Sequence, residues 1–142
     1  MLPWEHFLLG LFPMIHLWQS VNPLFAIIFV IVNVLIDLDH YFLVLYVNKF
    51  KIWNLKRVYE FFALRHGKEY HVKAIYIFHT IEFFLLTVIL YLITNWIYFL
   101  AIIFAIVYHL ILDFAEGVYL KHIKKKNLHY KPISIVLFLI NK

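Results

Sequence analysis

The sequence predicts an all-α fold, a polytopic membrane helical bundle of four transmembrane helices with an amphipathic cytoplasmic loop helix and a short C-terminal apolar segment. Three observations predict it. Apolar residues make up 65% of the 142, and the mean hydropathy of +0.84 lies outside ordinary soluble composition. Residues 24–47, 74–94 and 96–120 each reach the roughly 20 residues a helix needs to cross the hydrocarbon core, and residues 3–19 form a fourth, shorter stretch. All 13 Lys and Arg lie at or beyond Lys49, and none falls inside a spanning stretch. The chain, 1–142, reads as a single integral membrane domain.

The first stretch lacks the basic leader and small-residue cleavage site of a signal peptide, and it carries Glu5, His6 and His16. It is read as part of the mature protein, bent at Pro13, which removes a backbone hydrogen bond. Asn22-Pro23 marks the turn into the second stretch. Residues 48–73 then alternate basic residues with Ile52, Trp53, Leu55, Val58, Phe61, Phe62 and Leu64, the pattern of a helix lying on a membrane surface. The third and fourth stretches meet at Asn95, a second basic loop covers 121–131, and Pro132 opens an apolar run over 133–140 that is too short to span. The turns near Asn22 and Asn95 carry no charge, so the positive-inside rule places the N-terminus and both basic loops in the cytoplasm of an integral cell-membrane protein.

A net charge of +5 is accounted for by topology and anionic headgroups. No aromatic interleaving points to nucleic acid, so the expected partners are membrane lipids and an amphiphilic small-molecule substrate. The absence of cysteine excludes disulfides and thiolate ligands.

The chemistry lies in the acids. Five of the eight Asp and Glu fall within spanning stretches: Asp37, Asp39, Glu82, Asp113 and Glu116. An ionised group at bilayer depth must be neutralised, reach water or bind a cation, and no Lys or Arg is at hand. His6, His40, His79 and His109 join them. Counted from the inner helix ends at about 1.5 Å per residue, the polar residues of the second to fourth stretches fall roughly 8–16 Å deep, in one half-layer. Three- and four-residue spacings place Asn33, Asp37 and His40 on one face, His79 and Glu82 on another, and His109, Asp113 and Glu116 on a third. Imidazole mixed with carboxylate suits a divalent metal, Zn foremost, with Mn or Fe as alternatives, as one or two ions. Asp39 points about 200° away from Asp37 on a straight helix, so it either orients a ligand or the helix is distorted there. His16, His66, His71, His122 and His129 read as headgroup-level or solvated.

Glu5-His6-Phe7-Leu8-Leu9-Gly10, Asp37-Leu38-Asp39-His40 and His109-Leu110-Ile111-Leu112-Asp113 form an ordered set. It resembles the prokaryotic membrane-bound metal-dependent hydrolase family, which has a His near the amino end, an Asp-x-Asp-His motif in a hydrophobic helix and a later His with Asp. The resemblance implies that His6, Asp37, Asp39, His40, His109 and Asp113 are metal-site residues. Where many such proteins carry His-Arg-Gly and Thr-His-Ser stretches, this chain has Arg65-His66-Gly67 and His79-Thr80-Ile81-Glu82, which makes His79 and Glu82 the local substitute and Arg65 and His66 candidate substrate contacts.

The expected activity is hydrolysis of an amphiphilic substrate at the cytoplasmic headgroup layer, phosphoester lipids ahead of carboxylic esters or amides. Asp37, His40, His79, His109 and Asp113, with His6, hold the metal; Glu82 or Asp39 serves as base; Asn33 and Glu116 stand behind the ligands. Ser20 and Ser134 are topologically far from the cluster, which argues against a serine nucleophile. Two alternatives use the same residues: a proton or metal-ion transporter or channel, and a redox protein with haem held by two histidines such as His40 and His109.

Overall fold

The computed structural model describes residues 3–47 and 76–122, together with positions 49, 51, 54 and 56. The surface helix expected over 48–73, Arg65, His66 and the apolar run over 133–140 fall outside this description, apart from those single positions.

The described residues are helical, with no strand among them. In chain order they form α1 (Pro3–Ser20), α2 (Pro23–Leu35), α3 (Leu38–Val47), a 3-10 turn (Ile77–His79), α4 (Ile81–Thr94) and α5 (Ile97–His122). Asn22 starts α2 by accepting a hydrogen bond from the Phe25 N–H through its side chain (2.7 Å), with Pro23 in the first turn, where a missing N–H costs nothing. Asn95 ends α4 in the left-handed region (φ 50°), a conformation Asn tolerates, and reverses the chain into α5.

Among the described residues two helices, not four, are long and apolar enough to cross a membrane: the combined α2–α3 segment Pro23–Tyr46 and Ile97–Tyr119 within α5. The expected third span shortens because Thr80 caps a helix that begins only at Ile81; the resulting 14 residues reach about 21 Å, short of a ~30 Å core. The single helix expected over 24–47 is interrupted at Ile36 and Asp37. There the Asp37 N–H bonds the Val34 carbonyl and the His40 N–H bonds the Asp37 carbonyl, three residues back instead of four.

Helix α2 packs against α1 on one side and α5 on the other, and α5 packs against α4. Phe25 meets Phe104 and Phe29 meets Tyr108, so α2 and α5 run in the same direction. Ala26, Ala101 and Ala105 are fully buried, small side chains that let helix backbones approach. Two backbone irregularities tie the bundle together. Pro13 has no N–H for the Leu9 carbonyl four residues back, and that carbonyl accepts the Tyr108 hydroxyl at 2.9 Å. The break after α2 turns the Asp37 N–H away from the Asn33 carbonyl, which accepts the His109 ring N–H at 2.8 Å. Adjacent residues of α5 thus use carbonyls that α1 and α2 leave open.

The exterior is apolar and much of the interior is polar. Phe12 is 84% exposed and Phe114 74%, whereas His6, Asn33 and His109 are wholly buried. Fewer than half the residues of either long apolar segment are buried, unlike the core helix of a water-soluble domain.

Candidate metal centre

The site gathers at the end of the bundle where α1 begins, α2 breaks and α4 begins. His6 comes from the first turns of α1, Asp37 from the break, Asp39 and His40 from α3, His79 from the 3-10 turn, and His109 and Asp113 from successive turns of α5. Three sets each offer three ligand atoms within 4.8 Å of one another: His6, Asp37 and His109; Asp37, His40 and His79; His79, His109 and Asp113.

Hydrogen bonds on the far side of two rings decide what faces the centre. A backbone carbonyl only accepts, so the His109 Nδ1 bonded to Asn33 carries the proton and its Nε2 presents a lone pair. His79 Nδ1 lies 2.9 Å from Asp39 Oδ2, which makes Nδ1 the donor and leaves His79 Nε2 likewise a lone pair when the ring is neutral. The two Nε2 atoms stand 3.1 Å apart, with Asp113 Oδ2 at 3.6 Å from His79 and 3.9 Å from His109. With both rings neutral, two lone pairs and a carboxylate oxygen this close repel unless a proton or a metal cation lies among them. Two nitrogens bound to one tetrahedral ion at about 2.0–2.1 Å stand about 3.3 Å apart, so the donor set fits a divalent metal.

Asp37 Oδ1 lies 3.6 Å from His109 Nε2 and 3.7 Å from His40 Nδ1. His6 Nε2 lies 3.3 Å from Asp113 Oδ1 and 3.7 Å from Asp37 Oδ2. Neither ring nitrogen of His6 makes a hydrogen bond, and neither does Asp37 Oδ2, although all are buried. A buried polar atom without a hydrogen bond costs about 1–3 kcal/mol, and coordination would remove that cost.

Asp39 resolves its apparent misdirection. The break rotates α3 relative to α2, and the Asp39 carboxylate accepts from His40 Nδ1 (2.7 Å), His79 Nδ1 (2.9 Å) and the Phe78 N–H (3.3 Å). With both oxygens engaged on histidines, it stands behind the site as the group that orients them. Asn33 does the same for α1 and α5: its side-chain NH2 donates to the His6 carbonyl at 2.7 Å while its own carbonyl holds His109. Gly10 makes this possible, since a Cβ there would lie 2.9 Å from the Asn33 amide nitrogen.

His6 is wholly buried and stacks on His109 with ring centroids 3.8 Å apart. Glu82, in the first turn of α4, and Glu116, one turn beyond Asp113, are half-buried and belong to none of the three ligand sets. His16 lies on the exposed far part of α1 beside Ser20. Gly10 and Tyr76, whose ring stacks on His40 at 4.3 Å, were not among the residues singled out by spacing. Gly10 carries a readable signal, a small residue one turn after a buried histidine.

No protein-family model, curated protein or solved structure matches the chain.

Proposed function

We propose that the chain is an integral membrane protein and a metal-dependent hydrolase. Its substrate is amphiphilic, a phosphoester of a lipid, met at the cytoplasmic headgroup layer. The observation that carries the reading is the pair of Nε2 atoms 3.1 Å apart beside Asp113, both rings fixed in direction from behind. His79, His109, Asp113 and Asp37 would hold the ion, with Zn first among the divalent metals for two imidazoles and two carboxylates. A bound divalent ion would supply a water acidified toward neutral pH and polarise the phosphoryl oxygen.

The chain's own residues do the rest. Asp39 and the Asn33 carbonyl fix the rings of His79 and His109, so the donor atoms need no reorganisation. His40, the most exposed of the four histidines at 16%, lies at the rim and holds Asp39 in place. Phe25, Ala26, Phe29, Ala101 and Ala105 close the interior beyond the cluster, which favours a one-sided site over a path through the membrane. The 3.1 Å between His79 and His109 is also shorter than the ~4 Å between axial nitrogens on opposite faces of a haem iron, so that pair does not suit haem.

Membrane integration rests on the apolar exterior and the two long apolar segments. The orientation rests on charge, since α3 and α5 both lead from the polar end into the basic stretches of the sequence. The ordered motifs that resemble the membrane-bound metal-dependent hydrolases agree with this assignment. Hydrolysis exchanges the ester P–O bond for one from water, and the departing alkoxide ends with a proton from that water.

The test is turnover of phosphate esters of lipids by the full chain in lipid nanodiscs. Activity should disappear on chelation, return with Zn2+ or Mn2+, and be absent from Asp113→Asn. Wild-type protein that holds metal yet cleaves neither phosphoesters nor carboxylic esters would overturn the hydrolase reading.

A further inference from the structure

The cluster holds more ligand atoms than one ion can use, and they divide in a regular way. Asp113 turns Oδ2 toward His79 and His109 (3.6 and 3.9 Å) and Oδ1 toward His6 (3.3 Å). Asp37 repeats the pattern, with Oδ1 toward His109 (3.6 Å) and Oδ2 toward His6 (3.7 Å). Each carboxylate therefore gives one oxygen to the His79–His109 pair and the other to His6.

An ion between His79 and His109 leaves three atoms over: His6 Nε2, Asp37 Oδ2 and Asp113 Oδ1. The first two are buried and make no hydrogen bond. The rings of His6 and His109 are stacked with centroids 3.8 Å apart and planes only 17° from parallel. Lone pairs in the planes of parallel rings do not converge on one point. They address two points separated by about the stacking distance, which is the ~3.5–4 Å separation of two-metal hydrolytic sites.

We propose that the centre is binuclear, with a second divalent cation held by His6 Nε2, Asp37 Oδ2 and Asp113 Oδ1, and with Asp37 and Asp113 bridging the two ions. This rests on reading the cluster as a metal centre and goes beyond it in number and in role. The second position has three protein donors, fewer than a divalent ion accepts, so it is the one with room for an oxygen of the substrate. Two adjacent cations suit a dianionic phosphate monoester or a phosphodiester better than a neutral carboxylic ester.

The experiment loads chelator-stripped full-length protein, in detergent micelles, with Mn2+ alone and in parallel with Zn2+ alone, removes free metal by gel filtration, and counts bound ions per chain. Wild type should hold two, and its Mn2+ form should give the broadened electron paramagnetic resonance signal of a spin-coupled pair. His6→Ala should hold one Mn2+ with an isolated six-line signal. If His6→Ala fails to fold, the wild-type spectrum still decides, because a saturated six-line signal without coupling excludes a bridged pair. A wild type that saturates at one ion overturns the second position and leaves the mononuclear reading standing, whereas a wild type that binds neither metal overturns both.

Discussion

Near Asn22 and Asn95 the interior of the bundle is Phe25, Ala26, Phe29, Ala101 and Ala105, while at the other end it is His6, Asn33, Asp37, His79 and His109. The same helices, α2 and α5, supply both. At the apolar end small and aromatic side chains interlock, and the hydroxyl of Tyr108, which packs on them, is satisfied by the Leu9 carbonyl. At the polar end lie all the buried side-chain atoms that lack a hydrogen-bond partner among the described residues, on His6, Asn33 and Asp37. Groups left unsatisfied at about 1–3 kcal/mol each do not hold a bundle together. The contrast separates an end packed by apolar side chains from one lined by groups that could hold a cation, and it can be broken from either side.

The largest effect belongs to the polar end. Asp113→Asn should weaken metal binding at least 100-fold, measured by competition with a chromophoric chelator, since ligand loss should exceed the 10–100-fold typical of supporting residues. Asp37→Asn combined with Asp113→Asn should be little worse than either alone, because residues acting as a unit are not additive. His16→Ala, on the exposed part of α1, should leave affinity unchanged. Additive losses from Asp37 and Asp113 would mean that they do not share an ion.

A smaller effect is expected behind the ligands. Asp39→Ala frees the rings of His40 and His79 without removing a donor from the His79–His109–Asp113 set, so affinity should fall about 10–100-fold with the metal count retained at saturating metal. Loss of every bound ion would make Asp39 a ligand in its own right.

How far the sequence reveals this arrangement depends on the residue. His109 and Asp113 sit four apart on an uninterrupted helix, so ideal geometry places them together, and the buried charge without Lys or Arg nearby marks them. Asp39 is harder, because the break at Ile36 and Asp37 carries no Pro or Gly; a straight-helix wheel turns the side chain away from the cluster that it actually supports. The burial of His6 is not legible in the sequence, because it comes from the close approach of α1 to α2 at Gly10 and Asn33, a tertiary contact. The late start of α4 at Ile81 is legible in Thr80, a good capping residue, yet the apolar run from 74 onward reads as one continuous span.

The smallest effect separates the two ends most cleanly. Ala105→Leu places a larger side chain in the tight α2–α5 contact and should destabilise by about 1–3 kcal/mol, seen as a lower Tm in detergent, while the folded protein keeps its full metal content. A parallel loss of metal would mean that the ends are mechanically coupled.

The central claim, that buried histidines and aspartates hold a divalent ion, is tested most directly by elemental analysis of purified wild type beside His109→Ala, each checked for folding by circular dichroism. Wild type should carry at least one equivalent of Zn, Mn or Fe per chain and His109→Ala should carry at least one ion fewer, with metal raising the wild-type Tm by mass action. Folded wild type without stoichiometric metal after incubation with each ion, or His109→Ala retaining the wild-type amount, would contradict it.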